Sequence, residues 1–214
     1  MRVRLDLEYL SYDDLRLRAD EFLRTYAHRA GPPLQIEEIV DLDMGIDIVP
    51  VWGLKEEHDI DGFTASDLTQ IYVDQVQQER VEHRYRFTLA HEAGHVVLHR
   101  GIFEKFHFAD LEEYRQFVEG IDEDDRDWLE WQAYCFAGLV LVPGQRLEAA
   151  FREELEKPRV RAQIDAAKQR GMSRKSYLGH LCALISQRVA RKFAVSARVV
   201  EKRVDYDGLH ETIP

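Results

Sequence analysis

The sequence predicts an α+β fold, with a small antiparallel sheet near the N-terminus and a helical bundle after it. Three observations predict it. Alternating apolar runs closed by turn residues are confined to positions 46–74. The connections between those runs are short, which makes an antiparallel meander the simplest arrangement. Helical spacing of apolar side chains covers most of the rest.

Residues 11–29 place Leu15, Ala19, Phe22, Leu23 and Tyr26 on one helical face, with Asp13 and Asp14 at the positive end of the helix dipole. Gly31, Pro32 and Pro33 stop that helix, and a shorter one is expected over 34–42, ending before Gly45. Ile46, Ile48 and Val49, closed by Pro50, read as a strand, and 62–65 and 70–74 (QIYVD) as two more. Helix returns over 81–99, with a short helix at 110–120 inside an acidic insertion. A strongly apolar helix over 128–142 is halted by Pro143 and Gly144, and further helices are expected at 144–156, 159–170, 177–192 and 197–204.

A chain of 214 residues suffices for one sizeable core with an appendage, or for two small domains. The charge suggests where to divide it. Residues 174–203 carry eight basic side chains and one acidic, whereas the 173 residues before them hold a net charge of −15. The expected division is 1–172 for an acidic main body and 173–214 for a helical, helix-turn-helix-like segment packed on it. An acidic body argues against general nucleic-acid binding there and leaves DNA open as a partner for the C-terminal end. Cys135 and Cys182 are the only cysteines and have no CxxC spacing, which points to reduced thiols and a cytoplasmic location. Asp6 and Glu8 interrupt the run a signal peptide would need, and the uncharged apolar stretch 133–142 is too short to span a bilayer.

The informative segment is RFTLAHEAGHVVLH, residues 86–99. On a helix His91 and His95 lie one turn apart on the same face, a spacing that lets two imidazoles converge on one zinc ion. Glu92, rotated by roughly 100°, can reach a water on that ion and act as general base for attack on a carbonyl. A shuffled chain of this composition would contain HExxH about 4% of the time, so the flanks carry the weight. Phe87, Leu89, Ala90, Val96, Val97 and Leu98 bury the helix, where unpaired imidazoles would be costly. His99 lies about 12 Å along the helix from His91, too far to share the ion, and is assigned to packing or support. The extension HExxHxxGxxH is absent, since Leu98 and Gly101 stand where it needs Gly and His. Glu130 is the candidate third ligand, because Ala133, Ala137 and Gly138 on its stripe let that helix approach closely. Glu123, Asp124, Asp125 and Asp127 compete with it on spacing alone. Tyr72, His83, Tyr134 and His180 are all candidates for stabilising an oxyanion. Cys135, in the apolar helix, reads as a small buried hydrophobe.

The pair of motifs, RFTLAHEAGHVVLH followed by Glu130, Ala133, Phe136, Ala137, Val140 and Pro143 in the pattern ExxAxxFAxxLxxP, resembles the ImmA/IrrE family of bacterial zinc metallopeptidases. The IYVD strand looks like the one that precedes the metal helix in that family, and the resemblance runs from about residue 12 to 204. It implies a thermolysin-like zincin core, Zn2+ held by His91, His95 and Glu130, and Glu92 as catalytic base. It further implies cleavage of a helix-turn-helix repressor, which relieves repression of stress-response or mobile-element genes. The acidic stretch 104–127 lengthens the gap between the motifs and bears on the shape of the cleft. Strand 70–74 is expected to offer an exposed edge to an extended peptide.

Ala190, Phe193, Val195, Ser196, Val199 and Val200 resemble a helix-turn-helix pair with Ser196 as N-cap. Arg188, Arg191, Lys192, Arg198, Lys202 and Arg203 make DNA a conceivable partner, although a packed helical pair or a docking surface is favoured. Two other functions remain open: a non-catalytic zinc-containing module that binds DNA or docks a regulator, and a toxin–antitoxin partner.

Overall fold

The computed structural model describes residues 2–27 and 31–214. The chain forms two compact units, Met1–Ala30 with Leu34–Val140, and Gly31–Pro33 with Leu141–Pro214. The division expected at 172/173 therefore falls inside the second unit. The reason is packing: α9 (Gly144–Leu155) and α10 (Pro158–Gln169) bury Leu147, Phe151, Val160 and Ile164 and pack against α11 (Arg174–Phe193). Charge composition marks a surface and carries no information on that core.

In the first unit α1 (Tyr12–Tyr26) opens with a capping box between Ser11 and Asp14 and buries Leu15, Ala19 and Phe22. Its expected last turn includes residues 28 and 29, which lie outside the described residues. Next come α2 (Ile36–Glu38), continued as a π-helical turn over Ile39–Asp43, then β1 (Asp47–Val51), α3 (Leu54–His58), β2 (Gly62–Thr64) and β3 (Gln70–Asp74). Asp74 ends β3 and caps α4 (Gln75–Arg80) through the Gln77 N–H at 2.9 Å. The remaining helices are α5 (Glu82–Leu98), α6 (Arg100–Phe103), α7 (Leu111–Gly120) and α8 (Glu123–Leu141).

The sheet is mixed rather than antiparallel. Its order is β1-β3-β2, with β1 parallel to β3 (Val49 opposite Tyr72) and β2 antiparallel to it (Phe63 opposite Tyr72). Only β2 and β3 are joined by a tight turn. The path from β1 runs through α3 and β2 before β3 forms, and that is enough chain to bring β3 back alongside β1 in the same direction. Pro50 is tolerated because β1 is an edge strand. Strand β3 is central, so it has no free edge to offer a peptide; β1 and β2 are the edges.

In the second unit α11 and α12 (Ala197–Tyr206) join through Ala194–Ser196, with Ala194 at φ +50°, and a 3-10 turn follows at Leu209–Thr212. Ser196 does occupy the N-cap position of α12, but its side chain makes no capping bond. Among the described residues no helix is long and apolar enough to cross a membrane.

Candidate metal centre

The centre is built where α5 and α8 pass each other. Helix α5 buries Leu89, Ala90, Ala93 and Val96, and Gly94 faces α8. A Cβ on Gly94 would stand 3.2 Å from Phe136 Cδ1 and 3.3 Å from the Ala133 Cα and carbonyl oxygen. Two small residues thus set the separation of the helices. That separation brings Glu130, one turn before Ala133, to the two imidazoles on α5.

Nε2 of His91 lies 3.1 Å from Nε2 of His95 and 3.1 Å from Oε2 of Glu130, while Nε2 of His95 is 3.7 Å from Oε1 of Glu130. One donor atom from each residue lies within 4.8 Å of the others, and these three form the only such His, Cys, Asp or Glu group among the described residues. Two nitrogens bonded to one tetrahedral zinc at about 2.0–2.1 Å stand roughly 3.3 Å apart, close to the separation seen here. Two imidazoles and a carboxylate with a fourth direction left open fit a catalytic divalent cation by donor chemistry as well.

The orientation of His95 can be followed bond by bond. Gln132 donates its Nε2–H to the Glu8 carbonyl (2.7 Å), so its Oε1 accepts from His99 Nε2–H (3.1 Å). Burial lowers the His99 pKa to about 4, so the ring is neutral and its Nδ1 carries only a lone pair. That lone pair accepts from His95 Nδ1–H at 3.0 Å. Burial also holds His95 neutral, leaving its Nε2 bare and aimed at His91 and Glu130. His99 therefore does not join the three donors but fixes the tautomer of one of them.

The charges are sorted as well. Burial pushes Glu92 up to about 7, against the charge of His91 and the hydrogen bonds from Thr64, which donates through its Oγ1 (2.8 Å to Oε2) and its backbone N–H. Burial alone would raise Glu130, but the His91 hydrogen bond and the neighbouring imidazoles outweigh it and hold the carboxyl down to about 2. Burial likewise opposes charge on His91, and Glu130 overcomes it and raises that pKa. One carboxylate is thus permanently ionised, and the other is poised near neutral pH.

The competing acids are engaged elsewhere. Asp125 is buried and accepts from the Leu5 N–H (2.8 Å), Arg4 (3.0 Å) and Tyr9 (3.1 Å); Glu123 pairs with Arg2, Asp124 with Arg4 (3.8 Å) and Asp127 with Arg126 (3.8 Å). Cys135 is buried. Of the oxyanion candidates, Tyr72 is bonded to Gln70 and the Ala109 carbonyl, His83 is exposed in the first turn of α5, Tyr134 packs on Phe87, and His180 belongs to the second unit.

Residues 55–205 match the family described as the IrrE N-terminal-like domain. The chain belongs to that family. Membership in the IrrE N-terminal-like family supports a zincin-like metallopeptidase or a regulator, and it agrees with the ImmA/IrrE resemblance of the two motifs. Among solved structures, a Mycobacterium tuberculosis transcriptional regulator is similar with a TM-score of 0.52 and 16% identity, over 90% of this chain and 46% of that one. The likeness is one of fold, and this chain spans about half of that protein. A search of curated proteins found no match.

In this member of the IrrE N-terminal-like family the surroundings include residues that sequence reading passed over. Thr64 holds Glu92, Gln132 orients His99, and Tyr114 of α7 lines the space beside Glu92 and Glu130. The 3.6-residue spacing of Leu111, Tyr114, Phe117 and Val118 was the available signal for the last of these. Nothing local marks Thr64 or Gln132.

Proposed function

We propose that the protein is a zinc-dependent metalloendopeptidase of the cytoplasm. His91, His95 and Glu130 hold the metal, and Glu92 is the general base. The observation that carries this reading is the convergence of three donors within 4.8 Å beside a buried carboxylate on the next residue of the same helix. A zinc ion in that donor set supplies Lewis acidity toward a carbonyl oxygen and lowers the pKa of water. The protein's own part is positional. Thr64 fixes the Glu92 carboxylate by two hydrogen bonds, and its remaining lone pairs take a proton from the attacking water and return it to the departing amine.

The substrate is a specific protein, a helix-turn-helix repressor of stress-response or mobile-element genes in line with the family. An extended segment of it pairs with β2 rather than β3. Asp74 N–H donates to the Asp61 carbonyl and Ala65 N–H to the Gln70 carbonyl, so the main-chain groups of Gly62 and the Thr64 carbonyl point away from β3 and are not spent on Glu92. Thr64 is also bonded to Glu92, which puts this edge beside the centre. DNA is the weaker partner. Arg203 is buried against the Val142 carbonyl and Asp207, and Lys192 is paired with Glu153 (2.6 Å), leaving a thinner basic surface than the sequence suggests.

The test is metal content and one substitution. Purified protein should carry about one zinc per chain. Glu92→Gln should retain it while cleavage of a co-incubated repressor falls by about 10³-fold. Undiminished function in that variant would favour a regulator that keeps zinc for structure.

A further inference from the structure

We infer that α7 is a cover which decides what reaches the centre from the side of Glu92, with Tyr114 and Phe117 as the specificity-determining residues that close that side; this rests on the peptidase reading above. The Tyr114 ring stacks on Phe63 of β2 at 4.7 Å, and Phe117 stacks on Phe108 at 4.6 Å and packs edge-on to Phe103. Phe103 in turn lies against the His95 ring at 5.5 Å. Tyr114 lines the same small void as Glu92 and Glu130, and its phenol is held well above its ordinary pKa by desolvation and by those two carboxylates. The void left between α7 and Thr64, Glu92, His95 and Glu130 is about 10 Å³, room for at most one water. A peptide paired with an edge strand lies about 4.8 Å from it and needs a groove several residues long. The void beneath α7 is too small to take such a segment while the helix stays where it is.

The helix is held in a way that lets it leave. None of its residues is fully buried; Tyr114 and Phe117 are half-buried. Arg115 pairs with Glu112 and Glu119, and Gln116 with Glu112, all inside α7, while Glu113 bonds the Ala109 N–H just before it. Among the described residues no side chain of α7 makes a hydrogen bond or ion pair to α5, α8 or the sheet. The chain on either side is fastened. Phe108 N–H donates to Ser66 Oγ (3.0 Å) and Tyr72 bonds the Ala109 carbonyl (3.1 Å) ahead of the helix, and Val3 bridges Gly120 and Asp122 behind it. A segment pinned at both ends and held between them by apolar contact alone can swing as a unit. Short peptides gain too little on binding to displace it, whereas a folded protein partner that engages the surface can.

The experiment uses the full chain loaded with zinc and compares it with Tyr114→Ala/Phe117→Ala and with Tyr114→Phe. Three quantities are read: zinc release to EDTA, amide hydrogen exchange, and cleavage of short unstructured peptides. The double variant should release zinc and cleave peptides about tenfold faster, and exchange should rise in α7 but not in α5 or α8. Tyr114→Phe keeps the ring and should stay within about twofold of the parent. Unchanged release and exchange in the double variant would overturn the cover. So would a Tyr114→Phe protein that releases zinc normally and has lost cleavage, since the hydroxyl would then be catalytic. Faster release with no cleavage by any form would support the cover and remove the peptidase.

Discussion

Helices α8 and α7 meet the same centre from different sides, and they are fixed to the protein in opposite ways. Helix α8 brings Glu130 on a face where Ala133, Phe136, Ala137 and Val140 are completely buried, pressed onto Gly94 of α5. Helix α7 brings Tyr114 on a face with no fully buried residue, and among the described residues none of its side chains is tied by a hydrogen bond or ion pair to α5, α8 or the sheet. Donor atoms that must hold within a few tenths of an ångström sit on the tightly packed pair. The element that must give way to a substrate sits on the loosely packed one. The contrast teaches that packing density, more than distance from the centre, separates what positions the chemistry from what controls access to it.

The largest expected effect tests that contrast with one residue type. Phe136→Ala removes a fully buried ring packed edge-on to Phe22 and should cost about 3–5 kcal/mol in urea denaturation, with loss of metal binding. Phe117→Ala, on the half-exposed face of α7, should cost less than about 1 kcal/mol globally and speed exchange only locally. Equal costs at the two positions would break the comparison.

A smaller effect concerns the function carried by the rigid side. Burial raises Glu92 from 4.5 to about 7. Below pH 4.5 folded and unfolded forms both hold the proton, so there is no penalty. As pH rises from 4.5 to 7 the unfolded chain releases its proton first, and the penalty is complete above 7. In the metal-free protein Glu92→Gln should therefore stabilise by about 2–3 kcal/mol at pH 8 and by much less at pH 5. A variant no more stable than the parent at pH 8 would mean that the buried carboxylate costs the fold nothing.

How far the sequence could be read follows from the range of each interaction. His91, His95 and Glu92 share one helix, so their spacing alone sets their geometry, and Glu130 was approachable through the small residues Ala133 and Ala137. Most helices were legible from periodicity, but α3, α4 and α6, at four to six residues, are too short to display a period. The sheet was misread as antiparallel, and β3 as an edge, because strand pairing is decided by the path of the intervening chain. Alternation within five residues says which faces are buried and nothing about neighbours. The insertion was legible as a helix at 110–120, but which surface its apolar face would cover depends on residues such as Phe63 and Phe103, far from it in sequence.

The smallest effect probes the most distant of these links. Gln132 lies on α8, bonds the Glu8 carbonyl 124 residues away, and sets the proton on His99 and so the bare nitrogen of His95. Gln132→Leu keeps the approximate volume but removes both the acceptor and the donor. His99 Nε2–H then has no acceptor, the ring is free to place its proton on Nδ1, and His95 loses the partner that keeps its Nε2 unprotonated. Zinc affinity, measured by competition with a chromophoric chelator, should fall by about 10–100-fold, with urea denaturation of the metal-free protein changed far less than by Phe136→Ala. Gln132→Glu restores the acceptor to His99 and should recover most of the affinity. If the leucine variant binds zinc as the parent does, orientation of His95 comes from the packing of α5 and α8 alone, and the rigid half of the molecule needs no hydrogen-bonded support.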